Sequence, residues 1–271
     1  MKKHKFDRFG FSSLPFRNDS KAAYVDTARK QVLKNMLNFL NYRGFAVLSG
    51  SSGTGKTMLL NHLCKQLNPN ENKIIYIPFS MLSQSDMLKS ICVKLNVEPT
   101  VSTSKMLARI QDCITQMQPI NPILVLDEIQ KITNPTIEII RLMTNINFEE
   151  KNLFSILMAG NDEFLQRVRL RINEPLRQRI TCYCRLDALS RSDTKEYIKC
   201  QFETAGAHQD IITEQAAMLV YDLTSGIPRM INSLVFAALE MADEDESQII
   251  DLKHINLAEK VVILPQQEPY Q

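Results

Sequence analysis

The sequence predicts an α/β fold: a central parallel five-stranded sheet flanked by helices, followed by a small all-helical domain. Three observations predict it. Short apolar runs alternate with helix-length segments as far as Leu186, the pattern of strand–helix–strand units. Three of those runs are almost continuously apolar, as parallel strands covered on both faces are. Beyond Leu186 the strand signals stop and only helical periodicity continues.

Residues 1–44 read as an arm and a helix. Phe6, Phe9, Phe11 and Phe16 surround Pro15 in an aromatic, basic arm expected to pack on the helix that follows. That helix is expected to start near Asp19 or Ser20, both good N-caps, and to run to Gly44. Leu33, Met36, Leu37 and Leu40 give it one apolar face. Residues 45–186 carry the strands: FAVLSG (45–50), KIIYIPF (73–79), ILVLD (123–127), LFSILMAG (153–160) and ITCYCRL (180–186). Residues 187–260 read as four helices, near 191–205, 213–225, 228–242 and 251–260. Ser190 with Asp193 makes a capping box, Thr213 caps the next helix, and Gly226-Ile227-Pro228 separates the following pair. The tail 261–271, VVILPQQEPYQ, is either an apolar strip closing the helical core or a short peptide that recruits a partner.

A formal net charge of +2 excludes a strongly basic, tail-driven binder but not a local basic groove. Hydrophobic content of 44% with 23% charged residues supports a packed core and excludes wholesale disorder. The six cysteines contain no Cys-x-x-Cys pair, and the four histidines do not cluster with them. That argues against zinc and for reduced, buried thiols. The basic N-terminus MKKHKFDRFGF leads into no apolar signal region, and no stretch approaches 18 apolar residues. A cytoplasmic protein without a membrane span is therefore expected.

The chemistry starts at GSSGTGKT, Gly50 to Thr57, which satisfies G-x-x-x-x-G-K-[ST] between a strand and the helical run MLLNHLCKQL. Glycines let the chain curl so that successive N–H groups face phosphate oxygens at a helix N-terminus. Gly50, Ser51, Ser52, Gly53, Thr54, Gly55, Lys56, Thr57 and Met58 are the expected nucleotide-binding residues. Lys56 would reach the β- and γ-phosphates, and Thr57 would place its hydroxyl on Mg²⁺. ILVLDEIQK ends an apolar strand in Asp127-Glu128. Asp127 suits the metal, and Glu128 suits the orientation and polarisation of an attacking water.

In this order the motifs resemble those of the AAA+ ATPases, P-loop NTPases whose α/β domain is followed by a helical lid. The resemblance implies ATP as the nucleotide, a choice the residues alone do not make. Asn161, after SILMAG, matches the family's first sensor position, which contacts the γ-phosphate or the attacking water; a helix N-cap is its simpler role. Arg229, in SGIPRMIN, matches the second sensor, which reaches the nucleotide from the lid; a surface arginine is the simpler role. The chain resembles the ExeA-type branch in particular, through FGFSSLPF, RGFAVLSGSSGTGKT, LVLDEIQK, RLRINEPLRQRI and SGIPRMINSL, spread over residues 9–240. It departs in carrying Asn161 where many relatives carry Gln.

Seven of the fourteen arginines lie between Arg167 and Arg191. In the resemblance this segment faces the neighbouring subunit's nucleotide, which implies a homo-oligomer, a ring or a helical filament. Arg179 is the first choice for the trans-acting finger and Arg177 the second. Arg167, Arg169 and Arg171 suit a subunit interface, DNA contacts or a solvated helix face.

Relatives in this branch include secretion ATPases with a membrane span. They also include short soluble ATPases that act with a transposase or integrase, similar to MuB, TniB and TnsC proteins. The end of the chain after the lid favours the second group. The expected function is an ATPase that assembles with ATP on duplex DNA, independently of base sequence, and regulates a transposase. Lys89 and Lys105 are the candidate phosphate contacts, with solvated helix faces as their plainer role. The alternatives are a secretion or pilus-assembly ATPase and a nucleotide-switched signalling NTPase.

Overall fold

Five strands form one parallel sheet in the order β2-β3-β4-β1-β5. They are β1 (Phe45–Ser49), β2 (Asn72–Pro78), β3 (Asn121–Asp127), β4 (Ser155–Gly160) and β5 (Ile180–Arg185). This computed structural model describes residues 6–16, 24–78, 83–143 and 152–262. Contacts divide the chain into two units. One holds residues 27–52 and 56–186; the other holds residues 53–55, the chain from 187 on and the N-terminal arm.

The α/β unit alternates as the hydrophobic runs require. α1 (Thr27–Asn41) precedes β1 and α2 (Lys56–Gln66) follows it; α3 (Gln84–Lys94) and α4 (Thr103–Gln116) connect β2 to β3. α5 (Asn134–Met143) follows β3, and α6 (Asp162–Arg169) and the short α7 (Glu174–Arg177) separate β4 from β5. Every residue of β1, β3 and β4 is buried, whereas the edge strands β2 and β5 alternate between buried and exposed. The three continuous apolar runs are therefore the three central strands. Burial of each Leu, Ile or Val there contributes about 1.5–3 kcal/mol. The register sets Ser49 opposite Gly160 and Pro78 opposite Asp127, so these strand ends lie along one carboxyl edge of the sheet. Ligands of open α/β sheets bind along such an edge.

The helical unit contains α8 (Arg191–Thr204), α9 (Glu214–Thr224), α10 (Pro228–Glu244) and α11 (Leu252–Val262). Ser190 caps α8 through Asp193 N at 3.1 Å, and Thr213 caps α9 through Ala216 N at 3.2 Å, as their sequence positions predict. Proline at the first position of α10 lacks only an N–H that a helix start leaves unpaired.

Two expectations about the N-terminus are corrected. The arm packs in the helical unit and not on α1. Phe6, Phe9 and Phe16 are buried there, with Phe6 edge-on to Phe236 and Phe16 edge-on to Phe202. Ser12 N and Oγ both donate to Ala205 O, at 2.8 and 3.1 Å, and fix its path. The apolar face of α1 is already committed, because Leu33, Met36 and Leu40 are buried in the α/β unit. The helix also begins later than expected, at Thr27, since residues 24–26 are not helical. Tyr24 instead packs edge-on against Tyr197. Asp19 and Ser20, Phe79 at the expected end of the second strand, and the tail from residue 263 lie outside the described residues.

Candidate functional site

The phosphate loop leaves the carboxyl end of β1, and α2 starts at Lys56. The positive end of that helix and its first unpaired N–H groups therefore face the loop. Lys56 is 8% exposed, and its Nζ donates to Gly50 O and Ser51 O, each at 2.8 Å. A buried ammonium is tolerated only with such partners. These contacts hold its charge against the loop backbone, where an anion would be met.

The second half of the site comes from β3. Asp127 is 3% exposed at the strand's last position. Its Oδ2 accepts from Thr57 Oγ1 at 2.7 Å, across 70 residues of sequence, and from Tyr76 OH at 3.1 Å. Its Oδ1 accepts from Glu128 N at 2.9 Å. A hydroxyl and a carboxylate oxygen thus meet beside the loop, a donor set of hard oxygens that fits Mg²⁺. Tyr76 is a site residue that the sequence reading missed. It stands on an edge strand in an ordinary alternating run, and only the register brings it to Asp127. Burial, followed by the Asp127 charge and hydrogen bond, pushes its phenol up to about 12, so it stays a donor.

Glu128 turns away from the strand in a left-handed conformation, φ 56° and ψ 35°. Its side chain is 44% exposed, accepts from Gln130 Nε2 at 2.8 Å and lies 3.5 Å from Lys131 Nζ. Asn161, at the end of β4, caps α6: its Oδ1 accepts from Glu163 N at 3.1 Å. Its own N–H donates to Gln130 Oε1 at 3.3 Å.

Within the other unit, Arg229 N donates to Gly53 O at 3.2 Å. Gly53 has φ +84°, and a Cβ there would lie 2.9 Å from Ile227 Cγ2 and 3.0 Å from Arg229 Cβ. Glycine is therefore required at this position by both backbone angle and space. The main chain at the start of α10 thus contacts Gly53, the fourth residue of GSSGTGKT.

The arginine-rich segment is largely engaged within the chain. Arg167 donates to Gln130 O and to Asn134 Oδ1, both at 3.2 Å. Arg179 is half-buried and donates to Arg141 O at 3.0 Å. Burial and then the Arg141 charge lower its proton affinity. Arg177 is exposed and donates to Arg169 O at 3.3 Å and to Glu174 at 3.4 Å. Arg185 grips Asp162 through two bonds of 3.1 and 3.2 Å. Arg191 pairs with Asp222 and lies over the Tyr221 ring. Arg169 and Arg171 are exposed beside the exposed apolar Leu170 and Ile172. Lys89 and Lys105 are exposed on α3 and α4, and Lys89 lies 3.9 Å from Asp86.

Residues 40–168 match the family model of an AAA domain. The chain is 31% identical over 259 residues to the general secretion pathway protein A of Aeromonas hydrophila. That match takes in 92% of this chain and 47% of the relative, so the chain spans about half of the relative's length. Among solved structures, the Cdc6p of Pyrobaculum aerophilum superposes with a TM-score of 0.76 at 16% identity, covering 92% of this chain and 70% of that one. The ORC1 protein of Aeropyrum pernix in complex with DNA gives 0.71 at 18% identity, covering 91% and 68%. The RuvB Holliday junction branch migration motor of Thermotoga maritima gives 0.62 at 17% identity, covering 91% and 72%. The fold is that of a P-loop NTPase with an AAA domain, followed by a helical region.

Proposed function

We propose that this chain is a magnesium-dependent ATP hydrolase whose nucleotide state governs its assembly and its hold on a partner. The observation that carries the reading is the 2.7 Å bond between Thr57 and Asp127, which joins the phosphate loop's helix to the acidic end of β3. N–H groups from Gly50 to Met58 would surround the phosphates, with Lys56 on the β- and γ-oxygens. Thr57 and Asp127 would hold Mg²⁺, which supplies charge neutralisation on the phosphate oxygens when bound. Glu128 orients the attacking water and takes its proton. Asn161 sits one strand away, at the end of β4, where a polar group meets the γ-phosphate or the water. Arg229 reads the nucleotide from α10, and Arg179, with Arg177 second, reaches the site of a neighbouring copy. Glu128→Gln is expected to bind ATP with unchanged affinity and to lower the turnover number by about 100- to 10,000-fold. Nucleotide-binding and phosphate-release assays on the purified protein check this, and full turnover in the variant would remove Glu128 from its role.

Two readings of the partner follow. The 31% identity to a general secretion pathway protein supports a secretion partner at a membrane. Because that relative extends well beyond the matched region, the position of this chain's end no longer weighs against it. No helix among the described residues is long and apolar enough to cross a membrane. The second reading is assembly on duplex DNA and control of a transposase. It draws support from the ExeA-type motifs shared with transposition ATPases, and it assigns Lys89 and Lys105 to phosphate contacts. The ion pair of Lys89 with Asp86 offsets part of that charge. Electron microscopy with duplex DNA and a non-hydrolysable ATP analogue separates the two. Salt-sensitive, ATP-dependent filaments on DNA support the transposition reading. Absence of DNA affinity, together with co-purification of a membrane component, supports secretion.

A further inference from the structure

Glu128 is tied to the neighbouring strand by a side chain that no motif assigned. Gln130 bridges two strand ends. Its Oε1 accepts from Asn161 N at 3.3 Å, and its Nε2 donates to Glu128 Oε2 at 2.8 Å. The orientation of the carboxamide follows from chemistry, because a backbone N–H can only donate and so must face the oxygen. The nitrogen is then turned to the carboxylate, which accepts.

Two further features hold the bridge. Arg167 donates to Gln130 O at 3.2 Å and fixes the turn from behind. Gly160, the last residue of β4, supplies the space. A Cβ there would lie 2.7 Å from Ile129 Cγ2 and 3.1 Å from Gln130 Oε1. Glu128 itself is left-handed, and the side chains of residues 128 and 130 meet directly beyond it.

We infer that Gln130 is a positioning residue for hydrolysis. It sets the direction of the Glu128 carboxylate from the end of β4, so that a shift at Asn161 is passed to the group that orients the water. The inference rests on Glu128 acting as that group. Misplacement of such a group by a fraction of its proper geometry is enough to slow a reaction by up to about 100-fold.

Two variants separate positioning from packing. Gln130→Met keeps length and bulk but removes both polar contacts. Gln130→Glu keeps an oxygen for Asn161 N and sets a second carboxylate against Glu128. Both are expected to lower kcat by about 10- to 100-fold with ATP affinity and KM within about twofold of the parent. Gln130→Glu should be at least as slow as Gln130→Met, an order that loss of packing does not produce. Gly160→Ala should reproduce the defect by displacing the bridge. Glu128→Gln is measured in parallel. If it stops turnover while both Gln130 variants keep parental kcat, the positioning role is overturned. A fall in melting temperature with kcat intact overturns it equally. If Glu128→Gln itself turns over normally, the assignment of Glu128 falls, and the role of Gln130 with it.

Discussion

The phosphate loop with the end of β3 and the arginine-rich segment 167–191 both gather polar side chains, and they use their charge differently. In the first, polar groups converge: Thr57, Tyr76 and Glu128 N all meet one buried carboxylate, Asp127. In the second, they disperse. Arg167 serves the turn after β3, Arg179 a carbonyl of α5, Arg185 an acid of α6 and Arg191 an acid of α9. Density of charge in sequence is therefore a poor guide to a site. Convergence on one buried group is the better sign, because desolvation makes each such contact worth more.

The sharpest way to break this contrast is Arg179→Ala. If that side chain leaves Arg141 O to act on a neighbour's nucleotide, assembled protein should lose about 1,000-fold in hydrolysis while still binding ATP. Sedimentation and turnover measured across protein concentration check this. Normal, concentration-independent turnover would return the whole segment to a structural role. Lys56→Ala comes next, expected to weaken nucleotide binding by about 100-fold with little change in fold, as calorimetric titration would read. Arg167→Ala sharpens the other side of the comparison. Loss of its bonds to Gln130 O and Asn134 should cost about 1–2 kcal/mol in denaturant unfolding. Arg185→Ala should cost less than about 1 kcal/mol, because its pair with Asp162 is half-exposed.

What could be read from the sequence follows the same division. The strands were legible because burial on both faces leaves an unbroken apolar run, and β1, β3 and β4 carry it. Gly50 to Thr57 was legible because a tight anion-binding turn demands glycines at fixed spacing. Strand order was not, since nothing local to Ser155–Gly160 tells it to lie between β1 and β3. Tyr76 and Gln130 escaped for a related reason: each matters through a partner supplied by another strand. The arm escaped too. Phenylalanines without periodicity announce burial but not the surface that buries them.

That arm has a consequence for synthesis. Ser12 and the Ala205 carbonyl it grips are 193 residues apart. At about 5–20 residues per second, the ribosome makes the arm roughly 10–40 s before its partner exists. During that interval Phe6, Phe9 and Phe16 have no core to enter, while the whole of the α/β unit is being translated. The helical unit is thus begun first and closed last. A nascent chain stalled after Leu186 would present an aromatic N-terminus to chaperones and to other nascent chains.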